Sequence, residues 1–196
     1  VCHVNRGKEI ESQHIVYAVV INEDNEIIFS SGDSNYITCI RSSLKPFQAS
    51  TLIKYSGHKK FNLTNKEISL ICASHSAEKI HTDTLKKILK KINYTINDLE
   101  CGPHPAYDLE TRDIMLKKDI PFSNIHNNCS GKHAGMLSLA KKLGIDPTGY
   151  TQINHPVQQI IFKQITKLID QDHFSTGIDG CSAPTPFLSL KCIARL

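Results

Sequence analysis

Hydrophobic and polar positions follow two periods along this chain, a short one at the start and a longer one afterwards. Residues 14–21, HIVYAVVI, form a β-branched apolar run, and residues 26–32, EIIFSSG, form a second, with the turn residues NEDN between them. Two such runs around a short polar turn predict an antiparallel hairpin. Beyond Arg41 the period lengthens to that of helices. KPFQASTLIKYSG (45–57) predicts a helix ended by Gly57, with Pro46 in a first turn whose N–H groups are free in any case. NKEISLICASHS (65–76) is an apolar segment running into small polar residues. In AEKIHTDTLKKILKKI (77–92), Leu85, Ile88, Leu89 and Ile92 fall at i, i+3, i+4 and i+7, one apolar helix face with the lysines on the solvated side. Further helices are expected in LETRDIMLKKD (109–119), GKHAGMLSLAKKLG (131–144) and HPVQQIIFKQITKLID (155–170), the last with Pro156 at its first position. The end, GIDGCSAPTPFLSLKCIARL (177–196), reads as a Gly/Pro loop turning into an apolar helix. One hairpin therefore precedes at least five helices, and because a hairpin alone is marginal, the sheet it belongs to is expected to need further strands.

Composition narrows this picture without redirecting it. The 196 residues suit one domain, and a 40% apolar share is enough for a core. The net charge of +4 is mild and no basic run is interleaved with aromatics, which argues against nucleic acid. No apolar run approaches a membrane span, and no charged-then-apolar leader opens the chain. Seven cysteines, an odd number at wide spacings with no CxxC, favour free thiols in a reducing, cytoplasmic setting. The three N-x-S/T matches are read as chance on that account.

Three constellations carry candidate chemistry. Ser42 and Lys45 lie three apart at a helix start, so they share a face. A lysine whose pKa burial has lowered is able to take the serine's proton and make a nucleophile for an amide or ester carbonyl. The four-residue pattern alone is better explained by a capping serine and a solvated lysine. Ser74, His75 and Ser76 follow an apolar segment, with Ser74 at a strand or loop end where its hydroxyl would face a cleft. Cys129 and Lys132 are three apart at a helix entry, and Cys181 sits in a distant Gly-rich loop. Two thiols brought together could bind zinc, with His133 or Asp179 as further partners, although from these residues alone buried structural thiols are the plainer reading. A Cys129–His133 nucleophile pair is a rival that would make a thiol enzyme.

Taken in order, GKEIESQH, RSSLKPFQA, ASHSAEKIH, CGPHPAYD, NNCSGKHAGM and GIDGCSAPT resemble the L-asparaginase II family, from about residue 4 to the end. The resemblance implies a fold similar to serine β-lactamases and glutaminases, a helical region beside an α/β (α+β) sandwich with an antiparallel sheet. It implies Ser42 and Lys45 as a catalytic pair, Ser74 as a second catalytic serine, and Arg41 as a neighbouring site residue. Cys129, Lys132 and Cys181 match a zinc site, with His133 and Asp179 beside it and near the substrate. The implied reaction is hydrolysis of L-asparagine to L-aspartate and ammonia. The alternatives are a related amidase acting on glutamine or another small amide, and a catalytically dead zinc-binding remnant. A homodimer is left open. Two positions depart from the family pattern, Ala77 and Ser182, where glycine is usual. Family members also continue past the point where these residues stop, so residues 1–196 are expected to form a single domain lacking C-terminal strands and a second catalytic lysine, the partner of Ser74.

Overall fold

Two hairpins lead the chain in the computed structural model, which describes residues 1–196. β1 (Cys2–Arg6) and β2 (Glu9–His14) pair antiparallel, with Gly7 at φ 63° in the connecting turn. Their strands are polar and solvent-exposed almost throughout, which is why hydrophobic patterning did not predict them. β3 (Ala18–Ile21) and β4 (Ile27–Ser31) form the hairpin that the apolar runs predicted, with Ala18 opposite Ser31 and Val20 opposite Phe29. Its turn is closed by Asn22, whose Oδ1 accepts the N–H groups of Asp24 (3.0 Å) and Glu26 (2.8 Å). Asparagine is suited to this because its short side chain reaches the backbone two residues on.

β5 (Ile37–Cys39) leads into a 3-10 turn, Arg41–Leu44, and then α1 (Lys45–Lys54). The helix breaks at Ser56, in the left-handed region at φ 56°, and not at Gly57, which instead opens the short α2 (Gly57–Lys60). Gly57 is required for proximity, because a Cβ there would overlap the Leu52 side chain. α3 (Asn65–Cys72) starts in a capping box: Thr64 Oγ1 accepts the Glu67 N–H, and Glu67 Oε2 accepts the Thr64 N–H at 2.7 Å. α4 (Lys79–Ile92) buries Leu85, Ile88, Leu89 and Ile92 as its periodicity predicted. α5 (Leu109–Lys117), α6 (Ser130–Leu143) and α7 (Pro156–Ile169) follow.

α6 is the centre of the molecule. All of Ser130–Ala140 is buried, because α1, α3 and α4 pack around it. A helix enclosed on every side has little reason to be amphipathic. Close approach to α3 depends on Gly131 and Gly135, where a Cβ would overlap the Leu70 carbonyl oxygen and the Ile71 side chain. This contact brings the start of α6 beside the end of α3, and the candidate site residues gather there.

The C-terminal segment corrects the expectation of loop followed by helix. β6 (Ser175–Ile178) and β7 (Pro184–Ser189) are strands, and only Leu190–Arg195 is helical, as α8. β7 is the middle strand of an antiparallel sheet in the order β5-β7-β6. The Pro186 carbonyl accepts the Ile40 N–H, so the N positions of Pro184 and Pro186 face the β5 side. Proline has no N–H to give, and β5 pairs only with Phe187–Ser189. The architecture is thus mixed α/β, eight helices with small antiparallel sheets. No helix is long and apolar enough to cross a membrane.

Candidate active site

Lys45 is the first residue of α1, and its side chain runs into the core with 1% of its surface exposed. Ser42, one turn earlier, stays exposed, as does Ser74 just beyond the end of α3. The lysine reaches the second serine. Lys45 Nζ donates to Ser74 Oγ at 2.7 Å, and Ser74 Oγ donates to Ser42 Oγ at 3.2 Å. Helical spacing placed Ser42 and Lys45 on one turn, but the hydroxyl delivered by α3 stands between them. Ser74 therefore has a lysine partner within these residues. Burial pushes the Lys45 amine below the ordinary lysine pKa, assisted by the charge of Lys132, while Cys129 and Cys181 pull it back up.

Ser74 is held by its neighbour. His75 is buried; its Nδ1 accepts the Ala77 N–H at 3.1 Å, so the neutral ring carries its proton on Nε2, which donates to Ser130 Oγ at 2.7 Å. Ser130 passes its own proton to the Ile125 carbonyl at 3.2 Å. The His75 backbone N–H is bonded to the Asn128 carbonyl at 3.2 Å. Burial, followed by the charges of His81, Lys45 and His126, lowers the His75 pKa to about 4. The His75 and His81 rings stack at 5.5 Å. Ala77 follows at φ 69°.

A thiol corner lies behind this relay. Cys129 caps the start of α6, and its N–H is fixed by Asn127 Oδ1 at 2.9 Å. Asn127 is fixed in turn by the carbonyls of Cys101 and Gly102 at 2.8 and 3.1 Å. Cys181 sits in a loop closed at both ends: Ser182 N–H to the Asp179 carbonyl, and Asp179 N–H to the Ala183 carbonyl, each 2.9 Å. Ser182 is at φ 69°. Lys132 Nζ donates to Cys181 Sγ at 3.0 Å. The Cys129 hydrogen bond, with His133 and the Lys132 charge, holds Cys181 far down in pKa as a thiolate, and Cys129 is pushed up as the thiol of the pair. The donor atoms of Cys129, Asp179 and Cys181 lie within 4.8 Å of one another. Two sulfurs, a carboxylate and an adjacent amine suit the chemistry of a four-coordinate zinc ion.

At the rim, Arg41 Nη2 meets Asp179 Oδ1 at 3.3 Å, the arginine exposed and the aspartate nearly buried. Arg41 is itself at φ 49°, so strained backbone immediately precedes Ser42. His133, expected beside the substrate, has no exposed surface; its Nδ1 is 2.7 Å from the Tyr150 hydroxyl. Burial lowers its pKa. No hydrogen bond joins Cys129 to His133: the Nδ1 of that ring is engaged by the Tyr150 hydroxyl and its Nε2 has no hydrogen-bond partner. The structure thus brings Arg41, Ser42, Lys45, Ser74, Cys129, Lys132, Asp179 and Cys181 into one contiguous set, with His133 behind it. Asn127, Asn128, Ser130 and Tyr150 were not singled out from the sequence. The first three lay inside the NNCSGKHAGM motif, whereas nothing local marks Tyr150.

A family model described as L-asparaginase II matches residues 2–196. Comparison with curated proteins gave no match.

Proposed function

The chain belongs to the L-asparaginase II family, and on that premise we propose that it hydrolyses the side-chain amide of L-asparagine through a serine ester, within a serine β-lactamase-like arrangement. The observation that carries this reading is the unbroken path from the exposed Ser42 hydroxyl through Ser74 to the buried Lys45 amine. In the resting direction the lysine donates outward. Once Lys45 is neutral the path reverses: Ser42 gives its proton to Ser74 as Ser74 gives its own to Lys45. Ser42 Oγ then attacks the amide carbon. Lys45 returns a proton through Ser74 to the leaving nitrogen, and ammonia departs, leaving a β-aspartyl ester; water then gives a proton through Ser74 to Lys45 as it attacks the ester carbon, and that proton returns to Ser42 Oγ as aspartate leaves.

Arg41, tethered by Asp179, offers a guanidinium to the substrate carboxylate. Zinc would be held by Cys129 and Cys181, with Lys132 and Asp179 completing the set. Bound there, it would supply fixed positive charge that orients the substrate's carboxylate. A second reading makes Ser74 the nucleophile, favoured by its direct 2.7 Å contact with Lys45.

Acid quench of the protein mixed with asparagine, followed by peptide mapping by mass spectrometry, separates the two. The aspartyl mass is expected on the peptide containing Ser42, and Ser42→Ala is expected to abolish ammonia release while leaving the circular dichroism spectrum unchanged. The mass on the Ser74 peptide would exchange the two roles. Undiminished ammonia release by a folded Ser42→Ala protein would overturn Ser42 as nucleophile. Glutamine in parallel decides between asparaginase and a broader amidase.

A further inference from the structure

α3 and α4 lie against each other, and a cavity of about 280 Å³ runs between them up to the turn that carries Ser74. Lys66, Ser69, Leu70 and Ala73 fall at i, i+3, i+4 and i+7 along α3 and its C-cap, and form one wall. Ile80, His81 and Thr84 form the other from α4, and Ser74 and His75 close the end. Neither Arg41, Ser42 nor Lys45 lines the space, so it meets the serine–lysine relay only at Ser74. Pockets for drug-sized ligands run roughly 300–1,000 Å³, so this one suits something smaller.

Most of the polar groups in it are acceptors. Ser69 Oγ donates to the Asn65 carbonyl at 2.8 Å, and Thr84 Oγ1 to the Ile80 carbonyl at 2.7 Å. Each hydroxyl has committed its one proton and keeps its lone pairs. Ser76 gives its proton to Glu78 Oε1 at 2.7 Å, so where it meets His81 Nδ1 at 3.4 Å the ring is the donor, and a neutral ring keeps its lone pair on Nε2. His75 offers nothing, because its two nitrogens are committed to Ala77 and Ser130. Against these acceptors stands one cation. Lys66 is exposed, the neighbouring Glu67 carboxylate is taken by Lys91, and no carboxylate lines the cavity.

We propose that this cavity is a second small-molecule site, for a free α-amino acid, with the carboxylate on Lys66, the ammonium among the lone pairs of Ser69, Thr84 and His81, and a short side chain on Leu70, Ala73 and Ile80. A simple carboxylate would leave the acceptors unmet, and a simple amine would leave Lys66 without a counter-charge. Asparagine and aspartate both have this chemistry. Ser74 belongs to the wall and to the relay, so an amino acid held here bears on turnover; that consequence rests on the hydrolytic reading, whereas binding itself does not.

Protein with 13C-labelled isoleucine methyls reports the binding through Ile80, assigned by the loss of its signal in Ile80→Val. L-Alanine is expected to shift that signal saturably. Propionate, the same molecule without the ammonium, is expected to bind about tenfold more weakly, the worth of one charge-assisted hydrogen bond. Lys66→Glu, at an exposed helix position, is expected to weaken L-alanine binding by about tenfold or more, and Ser69→Tyr, which puts a ring into the cavity, to abolish the shift. L-Asparagine and L-aspartate, titrated in parallel into the Ser42→Ala protein, distinguish substrate from product as the occupant by which binds more tightly. An Ile80 signal that no amino acid moves overturns the proposal. So does propionate binding as tightly as L-alanine, or an L-alanine shift unaltered in a folded Lys66→Glu protein. Absence of ammonia release from asparagine with the Ile80 shift intact would refute the hydrolytic reading and leave the amino-acid site standing.

Discussion

Acidification should loosen this protein before its carboxylates begin to titrate, because of His75. The folded ring is buried with Nδ1 already accepting the Ala77 N–H, so it resists a proton until about pH 4, against an ordinary value of 6.5. The unfolded chain accepts that proton from about pH 6.5 downward. Where the unfolded state binds more protons, stability falls as pH falls. The contribution is therefore intact above about pH 6.5, declines through the window, and levels off near pH 4. A gap of about 2.5 units at 1.36 kcal/mol each gives roughly 3 kcal/mol in all, of which about 2 kcal/mol is gone by about pH 5. That is a large part of the roughly 5–15 kcal/mol that holds a domain together. Glu67, Asp108 and Asp146 have lowered pKa values, so their stabilising contributions persist to lower pH. His126 and His133 shift in the same direction as His75, so the wild type alone would not isolate it. His75→Asn does, since an amide oxygen can still accept from Ala77 while nothing titrates. Urea unfolding followed by far-UV circular dichroism, at about pH 7 and about pH 5, should show wild type losing about 2 kcal/mol more than His75→Asn. Equal losses in the two proteins would refute the reasoning. Protonation of the folded ring, near pH 4, would also remove the acceptor for the Ala77 N–H, so the turn that carries Ser74 should loosen there.

Lys45→Met should lower kcat by about 10²–10⁴-fold, the usual contribution of a general base, with a urea midpoint equal to or above wild type because a buried amine is removed; a kcat within tenfold of wild type would refute the base assignment. Since burial lowers the Lys45 pKa, the rate should rise with pH on a limb whose midpoint lies below the ordinary lysine value of 10.5, and a midpoint at or above it would count against Lys45 as the titrating group. Ser182→Gly should raise stability by about 0.5–1 kcal/mol in thermal melts by relieving a left-handed residue on an exposed turn. Ala77→Gly should come out near neutral, because the same relief is offset by about 0.8 kcal/mol for a buried methyl. Gly131→Ala should cost at least about 1–3 kcal/mol in urea unfolding, since its Cβ would overlap Leu70 backbone atoms; wild-type stability would mean that α3 and α6 can part without penalty.

The sequence by itself determined what depends on neighbours a few residues apart. The apolar stripe of α4, the start of α7 at Pro156, the capping box of α3 and the Asn22 turn of the β3–β4 hairpin are all set by contacts within one or two turns of chain. The ordered motifs also marked most of the site, because their residues cluster in short stretches that local reading can find. Tertiary structure decided the rest. PTPFLS has the composition of a loop or a helix entry, and becomes a strand only because β5 and β6 arrive on either side of it. The lysine one turn from Ser42 finds its partner 29 residues away, once α3 has packed against α6. Lys132 reaches a thiolate 49 residues on, and Tyr150 reaches His133 across 17. Hydrophobic periodicity records which face of an element is buried, not which element covers it. A polar side chain drawn into a core takes whatever hydrogen-bonding partner that covering element presents, because leaving it unpaired costs about 1–3 kcal/mol.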